Sequence, residues 1–459
     1  MAKLFGTDGV RGRAGRFPLD EATVRVIGRS LSGILLEQRG SAPEIVTGRD
    51  TRESGAWVER ALLEGARERG ATVRSAGVIT TPGVAYLART LNADAGVVVS
   101  ASHNPFQDNG IKIFAPTGRK LDDSLERRIE ADIESEAAGS EGEASAAGAA
   151  SSSEEPDSHQ SMELRERYLD YLAEEVAGGL SLDGMSVALD CANGASFELA
   201  PALFKRLGAR VSVINAEPDG QNINLNCGSQ HMEGLRRKVM DEGAELGVAF
   251  DGDADRALFV NARGEVVDGD AVMWAMARVM SERGELKGGA VVATVMSNIG
   301  LEIALRSKGL ALTRTDVGDK YVLEELLRSG ASLGGEQSGH IIFPQQSLVG
   351  DGMVTTINLL RAMKESGLAL EELTRGFERY PQVLVNVPVR EKRPFEEVEP
   401  IREASRRVEA QLGSRGRLLL RYSGTEALAR VMIEGERQEE IEALARQLAE
   451  AIRAELGAA

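Results

Sequence analysis

Three times along this chain an apolar run of strand length gives way to a polar loop and then a helix-length stretch: "VTGRDTRESG", "ALDCANGAS" and "VATVMSNIG". Short apolar runs bounded by turn residues read as strands buried on both faces. A strand that feeds a helix and then another strand builds a parallel sheet with helices against it. The pattern predicts three related α/β units, although few residues are shared between them.

The chain divides on that basis into four blocks. Residues 1–160 hold strand-like "EIVTGRD" and the apolar run that ends at Ser100. This block closes in Glu134–Gln160, which is rich in Ala, Ser, Gly and Glu and has no Lys or Arg. Such a stretch is expected to be an acidic, solvated surface loop. Residues 161–260 alternate helix and strand and end with "AELGVAF" running into "DGDADR". Residues 261–375 repeat the alternation and contain "GGEQSGH". Residues 376–459 change texture: "QVLVNVPVR", a helix, the strand "RLLLRYSGTEALARVMIEG" and a final amphipathic helix suggest a small α+β domain. The predicted fold class is therefore α/β, with three similar α/β domains plus a smaller C-terminal α+β domain.

Charge and composition narrow the function. A formal net charge of -17 over 459 residues argues against broad binding to nucleic acid or an anionic membrane. No apolar run has the length of a membrane helix, and the first residues lack a signal-peptide core. Cys191 and Cys227 stand in no metal-type spacing, so a reducing cytoplasm is the expected compartment. A phosphorylated substrate would then need local clusters of Arg and Lys.

Four motifs carry chemistry. In "DGDADR", Asp251, Asp253 and Asp255 recur every second residue after a buried strand, which in extended chain places them on one side. Three such carboxylates repel unless a cation sits among them, and an all-oxygen set suits Mg²⁺. An EF-hand is excluded, because Arg256 and Ala262 stand where that loop requires Gly and Glu. An aspartyl-nucleophile phosphatase is a rival reading. In "SASHNPFQDNGIKIF", Ser102 lies past an apolar strand, in a loop broken by Pro105 and turned by Asn109–Gly110. Ser102 reads as a nucleophile, a phosphate carrier or a capping hydroxyl. His103 is expected to diverge from it, as neighbours in extended chain do. A phosphoryl group on Ser102 would need a metal and cations, which the three Asp residues, Lys112, Arg11 and Arg256 supply. "GGEQSGH" offers Glu336, Ser338 and His340 to sugar hydroxyls. "RYSGTEALAR" joins Arg421, Ser423, Gly424, Thr425 and Arg430 into a phosphate cradle.

These motifs, in this order and together with "LFGTDGVRG", "GRDTRESG" and "RTDVGDKYV", resemble the α-D-phosphohexomutase superfamily along essentially the whole chain. Gln337 and the "SASHNP" wording are similar to its glucosamine branch. Ala427 departs from the usual Pro, and the 134–160 stretch is longer than usual. The resemblance implies four domains around a central cleft. It implies a phosphorylated Ser102 and Mg²⁺ held by Ser102, Asp251, Asp253 and Asp255. It also implies a sugar loop with Glu336 and Ser338, and a phosphate loop with Arg421, Ser423, Gly424, Thr425 and Arg430. The implied reaction passes a phosphoryl group from Ser102 to a hexosamine phosphate through a sugar 1,6-bisphosphate. Lys112 is the expected acid/base group, its proton loosened by cationic neighbours, with His340 and Arg11 assisting and His103 in support. Arg256 is expected to clamp phosphate. A second copy of the chain and a kinase that primes Ser102 are candidate partners. Trp57 and Trp274 are expected to pack.

Overall fold

The computed structural model describes residues 4–6, 8–139, 159–423 and 426–458. Most of the acidic stretch expected at 134–160 lies outside the described residues. The first sheet contains β1 (Phe5–Gly6), β2 (Gly9–Arg13), β3 (Glu44–Arg49), β4 (Thr72–Val78), β5 (Ala95–Val99) and β6 (Asp108–Phe114). Their spatial order is β1-β2-β6-β5-β3-β4. The second contains β7 (Ser186–Asp190), β8 (Arg210–Ile214), β9 (Leu246–Phe250), β10 (Ala257–Asn261) and β11 (Val266–Val267), in the order β11-β10-β9-β7-β8. The third contains β12 (Ala290–Thr294), β13 (Ala311–Thr315), β14 (Gly334–Gly335) and β15 (Ile341–Ile342), in the order β13-β12-β14-β15.

One topology recurs in all three sheets. A first strand (β3, β7 or β12) is flanked by two parallel partners, and a fourth strand returns antiparallel beside the third. The first strands are buried almost end to end, as central parallel strands must be. Reversing direction between the third and fourth strands requires a loop at the carboxyl end of the third. Those loops are 100–107, 251–256 and 336–340, which are three of the four sequence motifs. Ligands of open α/β sheets bind outside the carboxyl ends of strands, so the repeat itself presents three functional loops.

Two sequence expectations change here. Asn109 and Gly110 do not form a turn; they lie within β6 and pair with Gly12 and Arg11. The buried Asn109 amide donates to Ser54 Oγ at 2.9 Å, so its polar group is satisfied inside the strand. The run Arg417–Glu434 is not one strand but a hairpin of two strands of the fourth sheet. That sheet is antiparallel, with β16 (Gln382–Pro388), β17 (Arg417–Tyr422) and β18 (Leu428–Glu434) in the order β16-β18-β17. Helices Glu399–Leu412 and Gln438–Leu456 close one face over a core that includes Ile401, Val431, Ile441 and Leu448. Trp274 is buried, and Trp57 packs half-buried against the first core. Among the described residues no helix is long and apolar enough to cross a membrane.

Candidate active site

Ser102 is fully buried and takes a left-handed backbone, φ 53°. That conformation is costly for a residue with a Cβ and signals a backbone held by its surroundings. The Ser102 hydroxyl donates to Asp251 Oδ2 at 2.6 Å. The Ser102 amide donates to Ser100 Oγ at 2.9 Å, and Ser100 Oγ donates to Asp50 Oδ2 at 2.6 Å. Because the chain is not extended here, the expected divergence of His103 fails: its Nδ1 lies 3.3 Å from Ser102 Oγ. Burial, with the charges of Arg256 and Arg11 nearby, pushes His103 down to about 4, which leaves it neutral at pH 7.

The three carboxylates converge for a different reason than strand alternation. Residues 251–256 form a turn, with Ala254 left-handed at φ 55°. One oxygen from each of Asp251, Asp253 and Asp255 lies within 4.8 Å of the others. Asp253 Oδ2 accepts from Thr81 Oγ1 at 2.5 Å and from Lys112 Nζ at 2.8 Å. The other oxygen of Asp253 and Oδ1 of Asp255 are buried without a hydrogen-bond donor. Burial and the two neighbouring carboxylates drive Asp251 well above the ordinary carboxylate value. Burial would raise Asp255 too, but Lys112 and His340 pull it well below. A buried all-oxygen cluster with unpartnered lone pairs fits a hard divalent cation.

Lys112 projects from β6 into this cluster and is 1% exposed. Its ammonium lies 2.8 Å from Asp253, 3.2 Å from Asp8 and 3.3 Å from Asp255. Burial alone would lower its pKa, but these three carboxylates hold it well above the usual lysine value. The expectation that cationic neighbours loosen its proton is therefore reversed. Arg11 is half-buried and pairs with Asp8. Lys120 bridges Asp8 and Asp319 at 2.7 Å each.

His340 joins the cluster from the third unit. Its Nδ1 lies 3.7 Å from Asp255 Oδ1, and its Nε2 lies 3.7 Å from Asp319. Burial opposes its charge, yet Asp255, Asp319 and Glu336 raise it to about 9. The Gly350 N–H lies 3.0 Å from Nε2, a bond that only the neutral ring can accept and that opposes the charge the carboxylates favour. A Cβ at Gly350 would stand 2.5 Å from that ring, which is why only Gly fits there. Glu336 Oε1 accepts the Gly318 N–H at 3.2 Å, and Ser338 is half-buried beside it. The Arg256 amide donates to Asp251 at 3.2 Å, and its guanidinium lies 3.6 Å from Asp255.

Arg421, Ser423 and Arg430 form a second cluster on the fourth sheet. No hydrogen bond or ion pair among the described residues joins it to Ser102. Arg421 and Arg430 pair directly across β17 and β18, so both side chains leave the sheet on the same face. Like charges in that position repel unless an anion lies between them. Arg430 donates to Ser423 Oγ at 3.3 Å and to Glu426 at 3.1 Å. Gly424 and Thr425 lie outside the described residues. Cys191 and Cys227 are buried and free; burial pushes the Cys227 thiol up to about 12 and the Cys191 thiol higher still, which rules out either as a ready nucleophile.

Sequence reasoning gave no role to Asp8, Asp50, Arg52, Thr81, Asn224 or Asp319. Asp8, Asp50, Arg52 and Asp319 do lie inside recognised motifs, so a signal existed. Their partners are far apart in sequence, and only folding reveals them.

The fold and this site define a class. Four profiles of the phosphoglucomutase/phosphomannomutase family match: alpha/beta/alpha domain I over residues 2–140, domain II over 166–264, domain III over 268–380 and the C-terminal domain over 384–451. The chain belongs to this family. Curated relatives named phosphoglucosamine mutase match at 44–50% identity, among them the following two. The one from Solibacter usitatus (strain Ellin6076) is 50% identical across 100% of both chains. The one from Koribacter versatilis (strain Ellin345) is 47% identical across 100% of this chain and 98% of its own. A crystal structure of a phosphoglucomutase/phosphomannomutase family protein from Burkholderia thailandensis shares the fold. It has a TM-score of 0.76 at 23% identity and covers 99% of each chain.

Proposed function

We infer that the chain is a phosphoglucosamine mutase, an isomerase that interconverts glucosamine 6-phosphate and glucosamine 1-phosphate. The observation that carries the reading is Ser102 Oγ, buried 2.6 Å from Asp251 in a carboxylate cluster that faces Lys112 and His340. Identity of 44–50% to three curated phosphoglucosamine mutases along the whole chain supports the amino-sugar assignment.

The proposed cycle starts from phospho-Ser102. The P–Oγ bond breaks as a P–O bond forms to the free hydroxyl of the sugar phosphate. The hydroxyl's proton passes by exchange through Lys112 to Ser102 Oγ, so atoms and charge balance. The resulting sugar 1,6-bisphosphate turns end for end, and the reverse step returns its other phosphoryl group to Ser102. Catalysis of such a transfer is chiefly positioning and charge stabilisation. Asp251, Asp253 and Asp255, with Ser102, are the residues that would hold Mg²⁺, which when bound supplies neutralisation of charge on the phosphoryl oxygens. Lys112 enters protonated because carboxylates surround it, and it serves as acid first. His340 shares the proton traffic across Asp255, while Arg11 and His103 assist and Arg256 grips phosphate. Glu336 and Ser338 are assigned to the sugar hydroxyls. Arg421, Ser423, Gly424, Thr425 and Arg430 are assigned to the phosphate that does not react. The proposed domains are 1–160, 161–260, 261–375 and 376–459. A cytoplasmic location, a homodimer and a kinase that primes Ser102 complete the reading.

Side-by-side assays with Mg²⁺ and the phosphates of glucosamine, glucose and mannose test it. Glucosamine phosphate is expected to turn over fastest; equal or better turnover of glucose 1-phosphate overturns the assignment. Intact-mass spectrometry is expected to find one phosphoryl group that Ser102→Ala removes.

A further inference from the structure

Arg52 is 1% exposed, yet its charge serves no substrate in the proposed cycle. Its Nε donates to Asp50 at 2.9 Å. Every remaining N–H direction is spent on backbone carbonyls of the loop that carries Ser102 and of Asp108, the first residue of β6. Nη2 donates to the carbonyls of Ser102 at 2.9 Å and Asn104 at 2.8 Å. Nη1 donates to Asp108 O at 3.0 Å and also to Pro105 O. Only a guanidinium has enough donors, in a rigid enough fork, to serve four carbonyls and a carboxylate at once.

A second arm reaches the same carbonyl from the second unit. Asn224 Nδ2 donates to Ser102 O at 2.9 Å and to Asn104 O at 3.1 Å. Asn224 is itself left-handed, φ 58°, and its amide is anchored on Ala192 O at 2.9 Å. The carboxylate loop closes in from the third side. A Cβ on Gly252 would meet Ser102 O at 2.5 Å and Asn224 Nδ2 at 2.8 Å. The carbonyl of Ser102 is thus the point where the loops 100–107 and 251–256 are brought into register.

We propose that Arg52 and Asn224 are positioning residues, a two-armed clamp on the Ser102 carbonyl that holds its left-handed backbone and sets where Oγ stands against Asp251. Neither touches a reacting atom. The inference rests on the reading of Ser102 as phosphoryl carrier. A carrier that must give and take a phosphoryl group twice per cycle gains from an Oγ that returns to one place. Loss of the clamp leaves the sugar-binding loops untouched, so it lowers kcat and spares KM.

The test compares Arg52→Lys, Asn224→Asp and Asn224→Ala with the unaltered enzyme. Asn224→Asp keeps the shape and turns an acceptor toward two carbonyls; Arg52→Lys keeps the charge and loses the fork. Each variant is expected to lose about 10–100-fold in kcat while KM for glucosamine phosphate stays within about twofold. Thermal unfolding is expected to show the Asn224 variants folded at the assay temperature, with midpoints lowered by no more than a few degrees, since that side chain is half-buried. If Arg52→Lys does not fold, the two Asn224 variants still decide the matter. A folded Asn224→Asp enzyme with unaltered kcat overturns the clamp, as does a rise in KM with kcat intact. Ser102→Ala is run in parallel. If it keeps full turnover, the carrier reading falls and the clamp with it; if it is dead while Asn224→Asp is fully active, only the clamp falls.

Discussion

The Ser102 cluster and the Arg421–Arg430 cluster are built to opposite specifications. Around Ser102 the side chains are buried and most of their charges are already answered: the Lys112 side chain is 2% exposed and that of Asp253 1%, in direct contact with each other. On the fourth sheet the Arg430 side chain is 29% exposed, and its cross-strand partner is another arginine. One region is largely balanced within the chain, and its buried Asp253 and Asp255 oxygens fit a cation. The other is open: Glu426, itself 56% exposed, answers Arg430, and the arginine pair can still take an anion from solvent. Chemistry is thus assigned to a preorganised, desolvated half, and capture of the distal phosphate to an open one.

The most severe break in the comparison is Ser102→Ala. Turnover of glucosamine phosphate is expected to fall on the order of 10⁴-fold or more, because the covalent carrier is gone. Circular dichroism and the unfolding midpoint should stay near those of the parent. An active Ser102→Ala enzyme would place the chemistry elsewhere. Next comes Lys112→Met, which removes a cation from among Asp8, Asp253 and Asp255. Breaking a buried charge cluster from one side costs about 3–5 kcal/mol. Chemical denaturation of metal-free protein should show that loss, and added Mg²⁺ should recover part of it. A Lys112→Met protein as stable as the parent would mean that the buried half does not depend on internal charge balance.

How far this division could be read from the chain varies by residue. The strand–loop–helix repeats announced three α/β units, and the loops with Ser102, Asp251 and His340 were each visible as motifs. Their equivalence was not, because it lies in strand order: each fills the turn between the third and fourth strands of its own sheet. The contact of His103 with Ser102 was hidden by the left-handed backbone at Ser102, which serine seldom adopts and which its sequence neighbours do not demand. The state of Lys112 was misjudged because its three carboxylate partners come from elsewhere, Asp8 from the N-terminal turn and Asp253 and Asp255 from another unit. Arg52 lies within "GRDTRESG", and its purpose shows only once the loop beside it is folded.

The open half makes a milder prediction. Arg421→Met or Arg430→Met is expected to raise KM for the sugar phosphate about 10–100-fold, with kcat changed much less. For Arg421→Met stability should hold or rise by roughly 0.2–1 kcal/mol, since a like-charge cross-strand pair has been relieved, whereas Arg430→Met also loses the Glu426 pair and should be close to neutral. A substitution that instead lowers kcat at constant KM would move these arginines into the chemical half and dissolve the contrast.

The smallest effect probes the outer wall of the buried half. Asp351 Oδ1 caps the helix Gly352–Ser366 by accepting from the amides of Met353 at 3.0 Å and Val354 at 3.1 Å. Its Oδ2 accepts from Tyr168 Oη at 2.7 Å, tying the helix His159–Asp170 to the third unit. Burial raises its pKa from 3.8 to about 6, although these hydrogen bonds oppose the shift. The folded state therefore binds a proton more tightly than the unfolded chain does. The stability this contributes is fully present below the unfolded value and disappears as pH rises through about 6. Asp351→Asn keeps the cap on its one oxygen, turns its Nδ2 to Tyr168 Oη as a donor, and does not titrate. Relative to the parent, its unfolding free energy should improve by about 3 kcal/mol at most as pH rises from 4 to 7. Denaturant titrations of the two proteins across that range decide the point. Parallel profiles would mean that Asp351 is as well solvated as the open arginine face, and that the buried half ends short of it.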